Sequence, residues 1–242
     1  MIVILLYLRG QYINVKGFLP TITLRINEHV YVKDPQSSDL GKRILRGSIE
    51  LMDELGFEQF TFRKLAESIE STEASVYRYF ESKHKLLLYL TSWYWSWLEY
   101  RLIFSQANIE DPCDRLVRGL NVLTEVVKED GDFLFINEVK LQHIVISESS
   151  KAYLTREVDE ENKYGIFSGY KNLVARVSNV ILEINPNYKY PHMLVSTVIE
   201  GAHHQRYFAE HLPRLTDTIK GEDAVQEFYR ALVLSAIQTK DK

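Results

Sequence analysis

Residues 61–80 read TFRKLAESIESTEASVYRYF, and this run constrains the chain more than any other. Two apolar stripes at helical spacing, Phe62, Leu65, Ala66 and Ile69, then Val76 and Phe80, are separated by a few polar residues. Thr61 and Thr72 each stand where a helix needs an N-cap, because a threonine hydroxyl can accept an N–H that a helix start leaves unpaired. The pattern predicts two helices of about two turns each, joined by a tight turn, which is the helix-turn-helix unit. A pair this short needs a third helix to bury its apolar faces. The stripe Leu40, Ile44, Leu51 and Leu55, flanked by Leu45, Ile49 and Met52 and stopped by Gly56, supplies one from Asp39 onward.

The second short helix needs only a few inward anchors, and Val76 and Phe80 at i, i+4 serve against Leu65, Ala66 and Ile69. Ala66 suits the crossing point because it is small. Glu73, Ala74, Ser75, Tyr77, Arg78 and Tyr79 are then expected on the outer face. A protruding helix of this size fits the DNA major groove, about 12 Å wide, where arginine can reach a guanine edge or a phosphate and glutamate can accept from cytosine. The hydroxyls of Thr61 and Thr72, with the N–H groups of the two helix starts, suit phosphate oxygens.

From Asp39 onward the language is helical, with further segments expected near 112–129, 132–148, 150–184 (one helix or two), 190–212 and 217–238. Asp130-Gly131, Asn185-Pro186-Asn187, Leu212-Pro213 and Lys220-Gly221 punctuate them. Residues 1–38 differ: TITLRINEHVYVK alternates like a strand, and Asp34-Pro35-Gln36-Ser37-Ser38 reads as a linker. The organisation expected is a leader over 1–38, a helix-turn-helix domain over 39–85 and a helical body over 86–242. The fold class is all-α.

Hydrophobic residues make up 45% of the 242 and charged residues 26%, enough for a packed core. The net charge of −4 argues against a protein that coats nucleic acid without specificity. A single cysteine, Cys113, excludes an internal disulfide and points to a reducing compartment. The opening MIVILLYLRG lacks a basic n-region and is too short to span a bilayer, so a soluble cytoplasmic protein with no membrane partner is expected.

Leu65-Ala66, Thr72, Val76-Tyr77-Arg78-Tyr79-Phe80 and Ser82-Lys83-His84-Lys85-Leu86-Leu87, extended back through Ile44, Leu51 and Gly56-Phe57, resemble the N-terminal domain of TetR/AcrR-type transcriptional regulators. The resemblance covers about 50 residues, Asp39 to Leu88. It implies an all-helical homodimer on double-stranded DNA at a palindromic operator, with a connecting fourth helix and a ligand-binding, dimerising body. It also implies that Thr72 caps the recognition helix, that Tyr77 and Tyr79 touch backbone or a thymine methyl, and that Lys83 meets a phosphate. Two features depart from the family. Glu70 and Ser71 stand where the family has glycine then valine, and a left-handed Glu70 costs roughly 1–2 kcal/mol over glycine. Residues 39–85 carry eight Lys/Arg against nine Asp/Glu, a net of 8 − 9 = −1. Either the electrostatic share of binding rests on Lys42, Arg43, Arg63, Arg78 and Lys83, or binding is modest at physiological salt.

Trp93, Trp97 and Tyr100 share a helical face at i, i+4, i+7, a spacing that reads first as core. The resemblance also makes them, with His143, candidates for the pocket of an unknown small-molecule effector. Val195, Ile199 and Ala202, with Phe228 and Leu232 of the last helix, are the residues expected at a dimer interface. Glu200, His203, His204 and His211 lie on one helix without ligands from a second element, so no metal and no cofactor is expected. The sequence offers no nucleophile–base pair or phosphate loop, so no enzyme is indicated. The residues indicate a DNA reader on a helical body, and the resemblance implies a transcriptional regulator, a repressor released by its ligand. Its rivals are a DNA binder that senses nothing and an all-α interaction scaffold.

Overall fold

The computed structural model describes residues 5–8, 11–14, 24–128 and 135–238. A short antiparallel ribbon, β1 (Leu5–Leu8) and β2 (Gln11–Asn14), pairs Leu5 with Asn14. The rest of the described chain is helical: α1 Asp39–Gln59, α2 Phe62–Ser68, α3 Glu73–Tyr77, α4 Lys83–Gln106, α5 Pro112–Thr124, α6 Glu138–Tyr153, α7 Val158–Lys163, α8 Ser168–Ile184, α9 Pro191–His211 and α10 Ala224–Ile237. The expected 150–184 segment divides at Gly165, which takes a positive φ of 75°. The Asp130-Gly131 turn lies outside the described residues.

The strand expected over 21–33 is not found at residues 24–33, and residues 21–23 lie outside the described part. Asn27 accepts the N–H of His29 at 2.9 Å and Asp34 that of Gln36 at 2.8 Å, each capping a 3₁₀ turn. Side-chain caps of this kind give the backbone an alternative to a ladder. Val30 is fully buried, and Tyr31 meets Tyr89 of α4 edge-on at 6.0 Å. The segment is a strap laid across the helices rather than a sheet edge.

α4 is the axis of the molecule. It is apolar nearly all round, which a helix can be only when neighbours cover it, and α5, α6 and α8 do so. Trp93, Tyr94 and Trp97 are at most 1% exposed. Truncating a tryptophan buried like this costs about 3–5 kcal/mol. α4 starts in the helix-turn-helix unit and ends in the body, so one rigid element serves both. Among the described residues no helix is long and apolar enough to cross a membrane.

Candidate nucleic-acid interface

The helix-turn-helix unit is built as local chemistry dictates. Thr61 accepts the N–H of Lys64 at 3.2 Å and caps α2; Thr72 accepts the N–H of Ser75 at 3.3 Å and caps α3. Val76 and Phe80 are fully buried, as is Leu65, and Ala66 lies at the crossing, 3% exposed. A Cβ added to Gly47 of α1 would stand 2.6 Å from Ile69 Cγ2, so α1 and α2 meet as closely as a glycine permits.

The turn between α2 and α3 is a Schellman motif carried by a residue that is not glycine. Glu70 has φ 50°, Ser71 N–H donates to the Ala66 carbonyl at 2.8 Å, and Glu70 N–H donates to that of Glu67 at 3.3 Å. The left-handed turn is kept, with the strain of a Cβ in it.

Five expected contact residues stand exposed together at α3: Thr72, Glu73, Ala74, Tyr77 and Arg78, with Ser75 half-buried. Tyr77 is 49% exposed and braced edge-on against Phe62 at 5.0 Å. Arg63 and Thr61 are exposed on α2, with Arg63 paired to Glu67 at 3.1 Å.

Four others are placed differently. Tyr79 is not on the outer face: it is 3% exposed, its hydroxyl hydrogen-bonds Ser38 at 2.8 Å, and its carbonyl accepts from Val32 N–H at 2.8 Å. α3 ends at Tyr77, so residue 79 leaves the helical phase and turns inward. Lys83 donates to the carbonyls of Phe57 at 3.0 Å and Glu58 at 3.2 Å, which no helix bond serves after the break at Gly56 (φ 73°). Arg43 donates to the Ile69 carbonyl at the end of α2. Lys42 lies over the Phe135 ring at 5.9 Å, on the side of α1 that faces the body.

The acidic balance of the domain is resolved in the same way. α6 carries Lys140, which pairs with Glu50; His143, 3.2 Å from Asp53; and Lys151, 3.2 Å from Glu58. Three of the nine carboxylates are thereby held against the body, away from α3. No sequence signal marks this row, because its partners lie on helices far apart in the chain.

The proposed pocket residues do not converge. Trp93 and Trp97 stack at 6.3 Å inside the core, Tyr100 packs on Phe104 at 4.5 Å, and His143 is exposed at the α1–α6 seam. Open grooves lie elsewhere. One of about 340 Å³ runs between the strap and α4, lined by Glu28, His29, Tyr31, Glu81, Lys85 and Tyr164. Val195, Ile199 and Ala202 are at most 1% exposed inside the protomer, so they cannot meet a second chain; Phe228 (57% exposed) and Leu232 (40%) can. Among the described residues no three His, Cys, Asp or Glu converge to hold a metal.

Residues 44–90 match the family model of bacterial regulatory proteins, tetR family. The match spans α2, α3 and the parts of α1 and α4 that flank them. No curated protein matches the chain by sequence. Solved structures match about four fifths of it and nearly the whole of their own length. A putative transcriptional regulator from Saccharomonospora viridis in complex with choline has 16% identity and a TM-score of 0.55, over 84% of this chain and 98% of that one. AibR in complex with isovaleryl coenzyme A and operator DNA has 16% identity and a TM-score of 0.54, over 79% and 96%. The TetR family regulator PfmR from Thermus thermophilus has 15% and 0.52, over 83% and 100%. At such identities the likeness is one of fold, and it runs from the helix-turn-helix unit through the helical body.

Proposed function

We propose that the chain is a sequence-specific DNA-binding regulator of transcription, acting as a homodimer and released from its operator by a small molecule. The observation that carries this reading is the exposed face of α3, Thr72, Glu73, Ala74, Tyr77 and Arg78, held outward by the buried Val76 and Phe80. Only the first turns of a recognition helix meet base edges, so five residues are enough. Thr61, Arg63 and the two helix starts supply phosphate contacts.

Dimerisation uses the outer faces of α9 and α10, where Met193, Tyr207, Phe228 and Leu232 are exposed. Two copies joined there place two readers on half-sites about one DNA turn, roughly 34 Å, apart. Solved neighbours that hold operator DNA, isovaleryl coenzyme A or choline support a reading with both kinds of partner. A ligand acts by favouring a domain arrangement that mismatches the half-sites, which requires different affinities for two states.

The test is selection of genomic fragments by the purified protein, followed by sequencing. A shared palindrome among the retained fragments is expected. Retention without a shared sequence would favour an architectural DNA binder, and no retention would sink the DNA-binding reading.

A further inference from the structure

Four helices bring an aromatic cluster around one carboxylate in the body. Glu200 Oε1 of α9 accepts from the hydroxyls of Tyr153 (α6) and Tyr170 (α8), each at 2.8 Å. Tyr170 stacks on Trp95 of α4 at 4.2 Å and 11°, and Trp95 lies 5.8 Å from the ring of His203 at 25°. Trp95 and His203 are buried while Glu200, Tyr153 and Tyr170 are half-buried, so the cluster reaches from the core to the surface.

Both phenols bond the same carboxylate oxygen, Oε1 of Glu200. His203 is 5% exposed, and neither ring nitrogen has a hydrogen-bond partner among the described residues. Buried polar groups are nearly always paired, so an orphaned imidazole beside a carboxylate needs an explanation. Burial pushes its pKa down to about 4, which leaves a neutral ring with a lone pair to offer.

The chemistry selects the ligand. The Glu200 carboxylate attracts a cation, and the electron-rich rings stacked around it favour one over an anion. Its partners among the described residues are both tyrosines, so an anion would meet uncompensated negative charge. A metal ion lacks a third ligand. An ammonium nitrogen satisfies the carboxylate by charge and His203 by an N–H. We propose that Glu200, Trp95, Tyr153, Tyr170 and His203 form a binding site for a small organic ammonium ion. As a statement about effector class, this rests on the regulator reading above; as a statement about binding, it is tested without DNA.

The full chain is titrated at neutral pH with benzylammonium and butylammonium, and in parallel with benzyl alcohol, butanol, benzoate and butyrate. Calorimetry and tryptophan fluorescence report binding. At least one ammonium should bind saturably, at least about tenfold tighter than its alcohol, and Glu200→Gln should weaken it at least about tenfold. His203→Phe carries the same test should Glu200→Gln fail to fold. No saturable ammonium binding at millimolar concentration, or equal binding of the alcohols, would overturn the site. Operator retention is measured on the same protein without amine. Its failure alone would remove the regulator reading and leave the site standing; a protein that holds operator but binds no ammonium would remove the site alone.

Discussion

Glu148 of α6 accepts the backbone N–H of Phe57 at 3.0 Å, joining the body to the helix-turn-helix domain across 91 residues of sequence. The bond sits just after the Gly56 break, and Lys151 braces it by pairing with both Glu148 and Glu58. Glu148 is 8% exposed, so removing its acceptor strands a buried N–H. Glu148→Ala is expected to lower stability by about 1–3 kcal/mol, and Glu148→Gln, which keeps an acceptor, by less. Urea denaturation of the three proteins measures the difference; equal midpoints for wild type and Glu148→Ala would contradict the latch.

Lys83 caps carbonyls in this structure, where the family resemblance implies a phosphate contact. Lys83→Met should therefore cost roughly 0.5–1.5 kcal/mol of stability through the lost bonds to Phe57 and Glu58. It should leave the salt dependence of operator binding unchanged. A salt slope shallower by about one unit would instead return Lys83 to the phosphates.

The strained turn offers a gain. Glu70→Gly removes a Cβ from a left-handed residue (φ 50°) and should stabilise the protein by about 1 kcal/mol, partly offset by the entropy of a freer unfolded chain. For a chain of this size that raises Tm by about 2–4 °C. Glu70→Ala keeps the Cβ and should raise it little. Equal Tm values for Glu70→Gly and wild type would mean that the turn carries no strain.

His203 links stability to pH. Its pKa is lowered by burial from 6.5 to about 4, partly opposed by Glu200 and reinforced by His204. Below pH 6.5 the unfolded chain binds a proton that the folded chain refuses until about pH 4. Stability from this group is thus fully present above the unfolded value and is lost as pH falls through that window, by up to roughly 3 kcal/mol. His203→Phe should flatten this part of the stability–pH curve relative to wild type. Parallel curves for the two proteins would show that His203 titrates normally.

What the sequence disclosed was local. Val76 and Phe80 against Leu65 and Ala66, and the two threonine caps, follow from neighbours within one or two turns; the left-handed turn at Glu70 was marked only by the glycine that the resembled family has there. Tyr79, Lys83, Lys42 and His143 were misplaced because their partners, Ser38, Phe57, Phe135 and Asp53, lie on elements whose packing no periodicity reveals. The stripe of Val195, Ile199 and Ala202 was correctly apolar. Periodicity shows which residues share a face, but not whether the protomer's own helices, here α5, α6, α8 and α10 around α9, or a second chain covers it.

The central claim is that the outer face of α3 reads DNA, and Arg78 tests it most directly. It is exposed at the end of α3, and no ion pair holds it among the described residues. The decisive measurement is titration of the selected operator, and of a scrambled duplex of equal length, with wild type and Arg78→Ala at two salt concentrations. A preference for operator over scrambled duplex in wild type is predicted, with operator affinity lowered about tenfold or more in Arg78→Ala at unchanged thermal stability. Equal operator affinity for the two proteins would contradict the account.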